Sequence, residues 1–371
     1  MVDCISSLPD SILCDILSSL PTKEVVATSV LSKRWILLWR SVPSFHFDYD
    51  GDHFDYDKDK EACFHFLQSV DSFLLRRDRD EPLHRFRLKS NSLFDHTVSI
   101  NKWIRAAVSG SGRVQHLALC CDWNVVMPSV VFTCRTLVVL KLTLVTLEDV
   151  SFVDLPLLEI LHLNSVRLSE GLNLSQFLSG CPNLKDLKVY ETYVQNIEKF
   201  IRLPKLARAS VHEKLLPLEV LKDVEVLFLV LRYQRNLVFD FQNLVQLELI
   251  LQHKKDWLRV LEVLQHCPKL QTLVIWTRFY LVGREGVVPP YPQPDPVCIS
   301  FHLKTCCLKE YHGSIDEFQF ARYILEKANY LQTMKICTDS DADYTLGKKL
   351  YMRRQLSSCR KGSDTCTLSF E

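Results

Sequence analysis

Two hydrophobic rhythms divide the chain. In the first, LPDSILCDILSSLPTKEVVATSVLSKRWILLW from Leu8 to Trp39, the residues Ile12, Leu13, Ile16, Leu17 and Leu20 recur at i, i+1, i+4, i+5 and i+8, one broad helical face. Pro9 and Asp10 suit its first turn, where a missing N–H does no harm and a carboxylate meets the positive dipole end. Pro21 stops it. Thr22 is placed to cap a second helix carrying Val25, Val26 and Val30, and Ser32 a third carrying Trp35, Leu38 and Trp39. A unit of roughly 40 residues is at the limit of what folds alone. Each apolar side chain gains about 1.5–3 kcal/mol on burial, so the surplus calls for a cover. Either the rest of the chain or another protein's helices can supply it.

The second rhythm is L-x-x-L-x-L. It appears at Leu83-Phe86-Leu88, Val114-Leu117-Leu119, Leu137-Leu140-Leu142, Leu158-Leu161-Leu163 and Leu184-Leu187-Val189. It continues at Leu206-Ala209-Val211, Val224-Leu227-Leu229, Leu244-Leu247-Leu249 and Leu270-Leu273-Ile275. Most neighbouring copies lie about 18–26 residues apart, within or near the leucine-rich-repeat range. The return segments repeat too: Leu178-x-x-Cys181-Pro182-x-Leu184 matches Leu264-x-x-Cys267-Pro268-x-Leu270. One short strand and one return segment cannot bury their apolar sides without a neighbour, so the units stack into a solenoid with a parallel sheet on its concave face. The leucines are core, and any function sits between them.

In that register Lys141, His162, Asn164, Asp186, Lys188, Tyr190, Arg208, Ser210 and His212 face outward. Val226, Phe228, Val230, Gln246, Glu248, Thr272, Val274 and Trp276 follow. The gradient from polar to apolar and aromatic fits protein binding. Equally, the Pro-rich stretch 278–297 (PPYPQPDP) can fold over Phe228 and Trp276. Between the two rhythms, DYDGDHFDYDKDKE (48–61) reads as an acidic link and 61–80 as a helix through Phe64, Leu67, Val70, Phe73 and Leu74. As a calcium loop the link fails: counted from Asp48 its sixth position is His53, and counted from Asp55 its twelfth is Phe66.

Composition narrows the chemistry. The chain has 371 residues, 47% hydrophobic and 24% charged, with a formal net charge of +1, so no bulk attraction to nucleic acid or membrane is expected. No apolar run reaches the roughly 18–20 residues needed to span a bilayer, and Asp3, Asp10 and Asp15 do not fit a secretory signal. The fourteen cysteines include no C-x-x-C pair, and Cys120-Cys121 and Cys306-Cys307 are adjacent; they read as reduced, mostly buried thiols rather than zinc ligands. A cytoplasmic or nuclear location follows. The basic cluster from Lys348 to Lys361 reads as a solvated helix face before a nuclear address. No phosphate-cradling loop, G-x-S-x-G elbow or H-E-x-x-H is present, so neither catalytic residues, metal nor cofactor are expected.

The N-terminal residues Leu8-Pro9-Asp10, Ile16-Leu17, Leu20-Pro21-Thr22-Lys23, Val26, Thr28-Ser29, Leu31-Ser32-Lys33-Arg34-Trp35 and Leu38-Trp39 closely resemble a plant-type F-box. At the other end, CISFHLKTCCLKEYHGSIDEFQFARYILEKANYLQTMKI (298–336) resembles an FBD domain. That likeness extends through Leu356-Ser357-Ser358, Arg360, Ser363, Thr365-Cys366, Leu368 and Phe370. Its own pattern predicts a strand ending near Tyr311, a helix from about Asp316 to Lys327, and a last strand at Leu331-x-x-Met334-x-Ile336. The chain thus resembles the plant F-box/FBD/leucine-rich-repeat family over nearly its whole length. The expected fold is α/β: an F-box at 1–48, an acidic linker and helix at 49–82, an irregular leucine-rich-repeat solenoid at 83–290 and an FBD cap at 291–371.

The resemblance implies binding to a Skp-type adaptor, and through it to cullin and RING protein, in an SCF-type ubiquitin ligase that recruits a target protein. Leu8, Pro9, Ile12, Ile16, Leu20, Pro21, Val25 and Val26 form the expected adaptor-facing set, and periodicity does not separate interface from internal core among them. Trp35 can equally hold the helices together. The target-binding set is Lys141, His162, Lys188, Tyr190, Arg208, His212, Phe228 and Trp276. A binding protein acting outside any ligase is the alternative. A receptor whose small-molecule ligand glues a target to the concave face would need a basic pocket, for which Lys141, Lys188 and Arg208 are the candidates.

Overall fold

The computed structural model describes residues 5, 7–50, 56–78, 80–91, 96–109, 114–148, 152–169, 174–192, 202–212, 216–231, 239–252, 256–277, 294–338 and 346–371. The chain forms two compact units, Met1–Lys205 and Leu206–Glu371. The fold class is α/β with parallel sheet throughout, one strand per repeat.

The first unit opens with helices α1 (Asp10–Leu17), α2 (Thr22–Ala27) and α3 (Trp35–Leu38), with 3-10 turns at Thr28–Val30 and Trp39–Ser41. Neither predicted cap forms. Pro21 occupies the position before α2, its carbonyl accepting from the Glu24 and Val25 N–H groups, and Arg34 stands before α3. The Thr22 side chain is instead buried, its hydroxyl accepting from the His46 N–H at 2.7 Å. His46 lies on β1 (Ser44–Asp50), the end strand of the sheet, so Thr22 satisfies an edge donor that no neighbouring strand reaches.

β1 changes the sequence reading. Asp48 and Tyr49, read as part of a link, lie on this strand, which pairs in parallel with β2 (Arg85–Asn91) from Ser44↔Arg85 to Asp50↔Asn91. The sheet therefore starts one strand before the first leucine motif. Phe45 and Phe47 stand where leucines would, and that chemistry hid the strand. Residues 51–55 of the acidic stretch lie outside the described residues, and helix α4 (Tyr56–Arg76) begins earlier than expected. It turns Cys63, Phe66, Val70 and Phe73 inward and leaves Phe64 exposed.

Phe45 is the hub that joins the helices to the sheet. Its ring stacks on Phe86 at 4.4 Å, meets Phe73 edge-on at 5.6 Å, and Phe73 in turn contacts Trp39 at 5.3 Å. The half-buried Arg77 guanidinium donates to the carbonyls of Val42, Asp78, Glu81 and Pro82, so the chain leaving α4 is bound to the chain leaving the three helices. Beyond β2, helix α5 (Thr97–Ser109) lies between it and β3 (His116–Cys120) in sequence. The sheet then continues with β4 (Val139–Thr143), β6 (Ile160–Asn164) and β8 (Asp186–Tyr190), while β5 (Thr146–Leu147) and β7 (Arg167–Leu168) pair separately. Left-handed residues Leu144, Ser165 and Glu191 follow β4, β6 and β8 directly. None is glycine, so this recurring turn carried no sequence signal.

The second unit carries β9 (Arg208–His212), β10 (Val226–Val230), β11 (Gln246–Leu251), β12 (Thr272–Thr277), β13 (Thr305–Lys309), β14 (Thr333–Ile336) and β15 (Thr367–Phe370), paired in that order and all parallel. The FBD segment therefore extends the sheet. Two sequence-matched motifs fold alike, at the ends of α6 (Leu174–Ser179) in the first unit and α7 (Asp256–Gln265) in the second. Cys181 and Cys267 are fully buried, and each thiol donates to the carbonyl four residues back, Phe177 and Val263. Burial pushes the Cys181 thiol up to about 12, so it stays protonated.

After the short α8 (Val297–Phe301), α9 (Ile315–Lys327) starts one residue before expectation, behind Gly313 at φ +73° and the N-cap Ser314. Its Glu317 is buried yet satisfied: the carboxylate accepts from the His312 and Ser314 N–H groups, and the Glu317 N–H donates to the Ser314 hydroxyl. Burial favours the neutral acid. The hydrogen bonds from His312, Ser314 and Thr277 outweigh it, holding the carboxyl below its ordinary 4.5. Helix α10 (Leu346–Ser357) turns Met352 and Leu356 inward and leaves Leu350 and Tyr351 exposed.

Phe45→Ala is expected to cost about 3–5 kcal/mol in urea unfolding of the full chain; a loss under about 1 kcal/mol would mean the aromatic cluster does not anchor the helices. A depressed carboxyl contributes stability that is present above its unfolded value and lost as pH falls through its folded one. Thermal stability should therefore decline as pH drops below about 4.5, and Glu317→Gln should lower the melting temperature at pH 7 while flattening that acid decline.

Candidate functional site

Two exposed surfaces carry the candidate residues, and the N-terminal one is built by a division of labour within each helix. Leu13, Cys14 and Leu17 of α1 pack inward with Val25, Trp35, Leu38 and Trp39. Ile12 and Ile16 fall one turn apart on the opposite side of α1 and stay exposed. Ile5, Val26, Val30, Leu31, Ile36 and Leu37 are exposed as well. Eight of the twenty-two exposed large apolar side chains among the described residues thus fall within 5–37, a density that its own chain leaves uncovered. Pro9 and Pro21 are exposed, Leu8 and Leu20 half-buried. Arg34 holds the entry to α1, donating to the Leu8 carbonyl and, from Nε at 2.8 Å, to the Asp10 carboxylate.

One member of the expected adaptor-facing set is corrected here. Val25 is 2% exposed and belongs to the internal core, on the side of α2 that packs against β1, while Val26, one residue on, is exposed. Sequence reasoning missed Val30, Leu31, Ile36 and Leu37. Val30 ends the 3-10 turn, Leu31 follows it, and Ile36 and Leu37 lie on short α3, where a few residues show no full helical period. Trp35 is core.

On the open face of the first unit's sheet, Lys141, His162 and Lys188 are register neighbours on β4, β6 and β8, and Tyr190 stands beside Asn164 one row over. Lys141 and Lys188 are exposed, with no ion-pair partner among the described residues. His162 is half-buried and 3.3 Å from Asp186; burial pulls its pKa down, opposed by Asp186 and reinforced by the two lysines. Asp186, read as outward-facing, is buried beside that ring.

In the second unit Arg208 is exposed, and His212, Phe228 and Trp276 are half-buried. Trp276 donates its indole N–H to Glu248, and the Lys309 ammonium sits 4.0 Å from the ring centroid. Val230, read as outward-facing, is buried; it shares a register row with His212, Ile250 and Trp276, of which Ile250 is buried too. The proposed cover over Phe228 and Trp276 falls mainly on residues 278–293, outside the described residues. Among the described residues no group of three His, Cys, Asp or Glu side chains could hold a metal, and no helix is long and apolar enough to cross a membrane. A thiol–imidazole contact joins Cys63 and His96 at 2.7 Å, but Cys63 is 1% exposed and offers no reactant access.

A three-helix module with an open apolar face, followed by leucine-rich repeats, defines a repeat protein with an appended docking module. Comparison with known proteins agrees. Residues 5–47 match the F-box domain, 100–234 the LRR repeats of the FBD-associated F-box protein At5g56370, and 291–336 the FBD. The chain is 30% identical to the F-box/FBD/LRR-repeat protein At5g56420 of Arabidopsis thaliana, across 100% of this chain and 99% of that protein. Its identity to the F-box/FBD/LRR-repeat protein At3g52680 from the same plant is also 30%, across 100% and 93%, and to F-box/LRR-repeat protein 13 it is 26%, across 97% and 96%. The chain belongs to the plant F-box/FBD/leucine-rich-repeat family.

Proposed function

We propose that this chain is the substrate-recognition subunit of an SCF-type ubiquitin ligase. The observation that carries the reading is the open apolar face of the F-box, Ile12, Ile16 and Val26 with Leu8, Pro9, Leu20 and Pro21 at its margins, on a module whose other side is already packed on β1. A Skp-type adaptor buries that face and links it to cullin and RING protein. The repeats hold a target protein, and the chain itself makes and breaks no bond. Ligation is promoted by proximity, since tethering raises the local concentration of target lysines beside the charged conjugating enzyme, to about millimolar with short links. The cellular setting is the cytoplasm, the nucleus or both.

Co-purification of the tagged full-length chain with adaptor and cullin tests the proposal. The wild type is expected to bring down both. Ile12→Asp with Ile16→Asp, both on the exposed side, should lower adaptor recovery by about tenfold or more with an unchanged circular dichroism melt, as should Leu8→Ala with Pro9→Ala. Val25→Asp should instead unfold the module. Adaptor recovered without cullin would point to an F-box protein acting outside a ligase, and recovery unaffected by the isoleucine pair would move the interface elsewhere.

A further inference from the structure

The strand register of the first unit aligns charged residues that lie far apart in sequence. The middle row of the open face runs His46, Arg87, Ala118, Lys141, His162 and Lys188 across β1, β2, β3, β4, β6 and β8. The row on one side adds Arg85 and His116, and the row on the other adds Lys89. Against these stand Asp48, which is 3.2 Å from His46 and 3.5 Å from Arg87, Asp50 at the next position of the same alternation on β1, and Asp186, which is buried against His162. Positive charge is therefore concentrated at Lys141 and Lys188, exposed and without an ion-pair partner among the described residues, on a chain whose net charge is only +1. The second unit differs. Its equivalent rows hold Arg208, Val226, Gln246 and Thr272, then Ser210, Phe228, Glu248, Val274, Cys307 and Lys335, then His212 and Lys309; Lys335 is paired with Glu371 at 2.8 Å and Lys309 lies over the Trp276 ring.

The cations crowd one another. Beyond burial, Arg85 and Lys141 pull the His116 pKa down, and Lys141 and Lys188 do the same to His162. Such like-charge crowding is unfavourable in the free protein and is relieved by an anionic partner. Adjacent strands are about 4.8 Å apart, so Arg87, Lys141 and Lys188 recur every two strands, about 10 Å. An extended chain covers that distance in about three residues. Single cations spaced this way match separate carboxylates better than one phosphate, which several donors would have to surround. The absence of aromatics from the middle row disfavours stacked nucleotides.

We propose that this face binds an acidic segment of the target protein, rich in Asp and Glu and extended across the strands from Arg87 to Lys188. The assignment deepens the recruitment reading above and rests on it only for the word target. Binding of the full-length chain to a fluorescent peptide of about twelve residues, alternating Glu and Ser, is followed by anisotropy; that length spans about 40 Å extended. The wild type should bind it, more weakly as salt rises from roughly 0.05 to 0.5 M. Lys141→Glu with Lys188→Glu should lose about tenfold or more in affinity with an unchanged melt. Lys222→Glu with Lys269→Glu, exposed charge reversals on the second unit, should stay within about twofold.

No binding by the wild type, equal binding of the matching Gln and Ser peptide, or indifference to the Lys141/Lys188 pair would overturn the proposal. So would tighter binding of a single-stranded DNA, lost on the same substitutions, or binding confined to a singly phosphorylated peptide. Adaptor co-purification run in parallel separates the two readings: a Lys141/Lys188 variant that keeps the adaptor and loses the peptide supports the face without involving the F-box, and a wild type that binds the peptide without adaptor leaves the face standing while the ligase reading falls.

Discussion

Every element of this chain depends on a neighbour to bury its apolar side. A repeat strand such as β6 turns Leu161 and Leu163 inward, and those two leucines, at about 1.5–3 kcal/mol each, do not offset the entropy of ordering a whole repeat. Parallel pairing with the strands before and after, in unbroken sequential order within each unit, makes the apolar rows continuous and supplies the missing gain. The left-handed turns after β4, β6 and β8 follow from the same demand, because the chain must leave each strand in the same direction to return for the next.

The F-box obeys the same rule with a different result. Its inner residues are covered by the aromatic cluster around Phe45, and Thr22 closes the sheet edge by accepting from His46. This fixes the module against the repeats rather than leaving it on a tether. An open face on a fixed module is preorganised, so a partner seated there would lose less freedom than one held by a mobile arm. Arg34 adds to the order by pinning the entry to α1, which ties the Lys33-Arg34-Trp35 end of the module to its Leu8-Pro9-Asp10 start.

The two units offer partners different chemistry. The first presents lysines and arginines at spacings set by the strands; the second presents Phe228, Trp276 and hydroxyl side chains, with Arg208 at its first strand and Lys335 paired with Glu371. Charge contributes most to encounter and selectivity, while aromatic and apolar area contributes most to the strength of the final contact.

The sequence alone determined the architecture, since a six-residue apolar pattern repeated nine times can bury itself only by stacking. It also determined the N-terminal helices and the capped α9, whose Ser314 and Glu317 stand at the spacing that closes a helix start. It did not show β1, whose inward residues are phenylalanines, nor that Val25 and Val26 part company. Adjacent residues on a short helix differ by about 100° in direction, and only the position of β1 decides which is covered. Nor could it show the cationic row. Arg87, Lys141 and Lys188 are scattered among ordinary surface charges until parallel pairing in register brings them together. Local periodicity sets which side chains leave the core; the register between distant strands, a tertiary property, sets which of them meet.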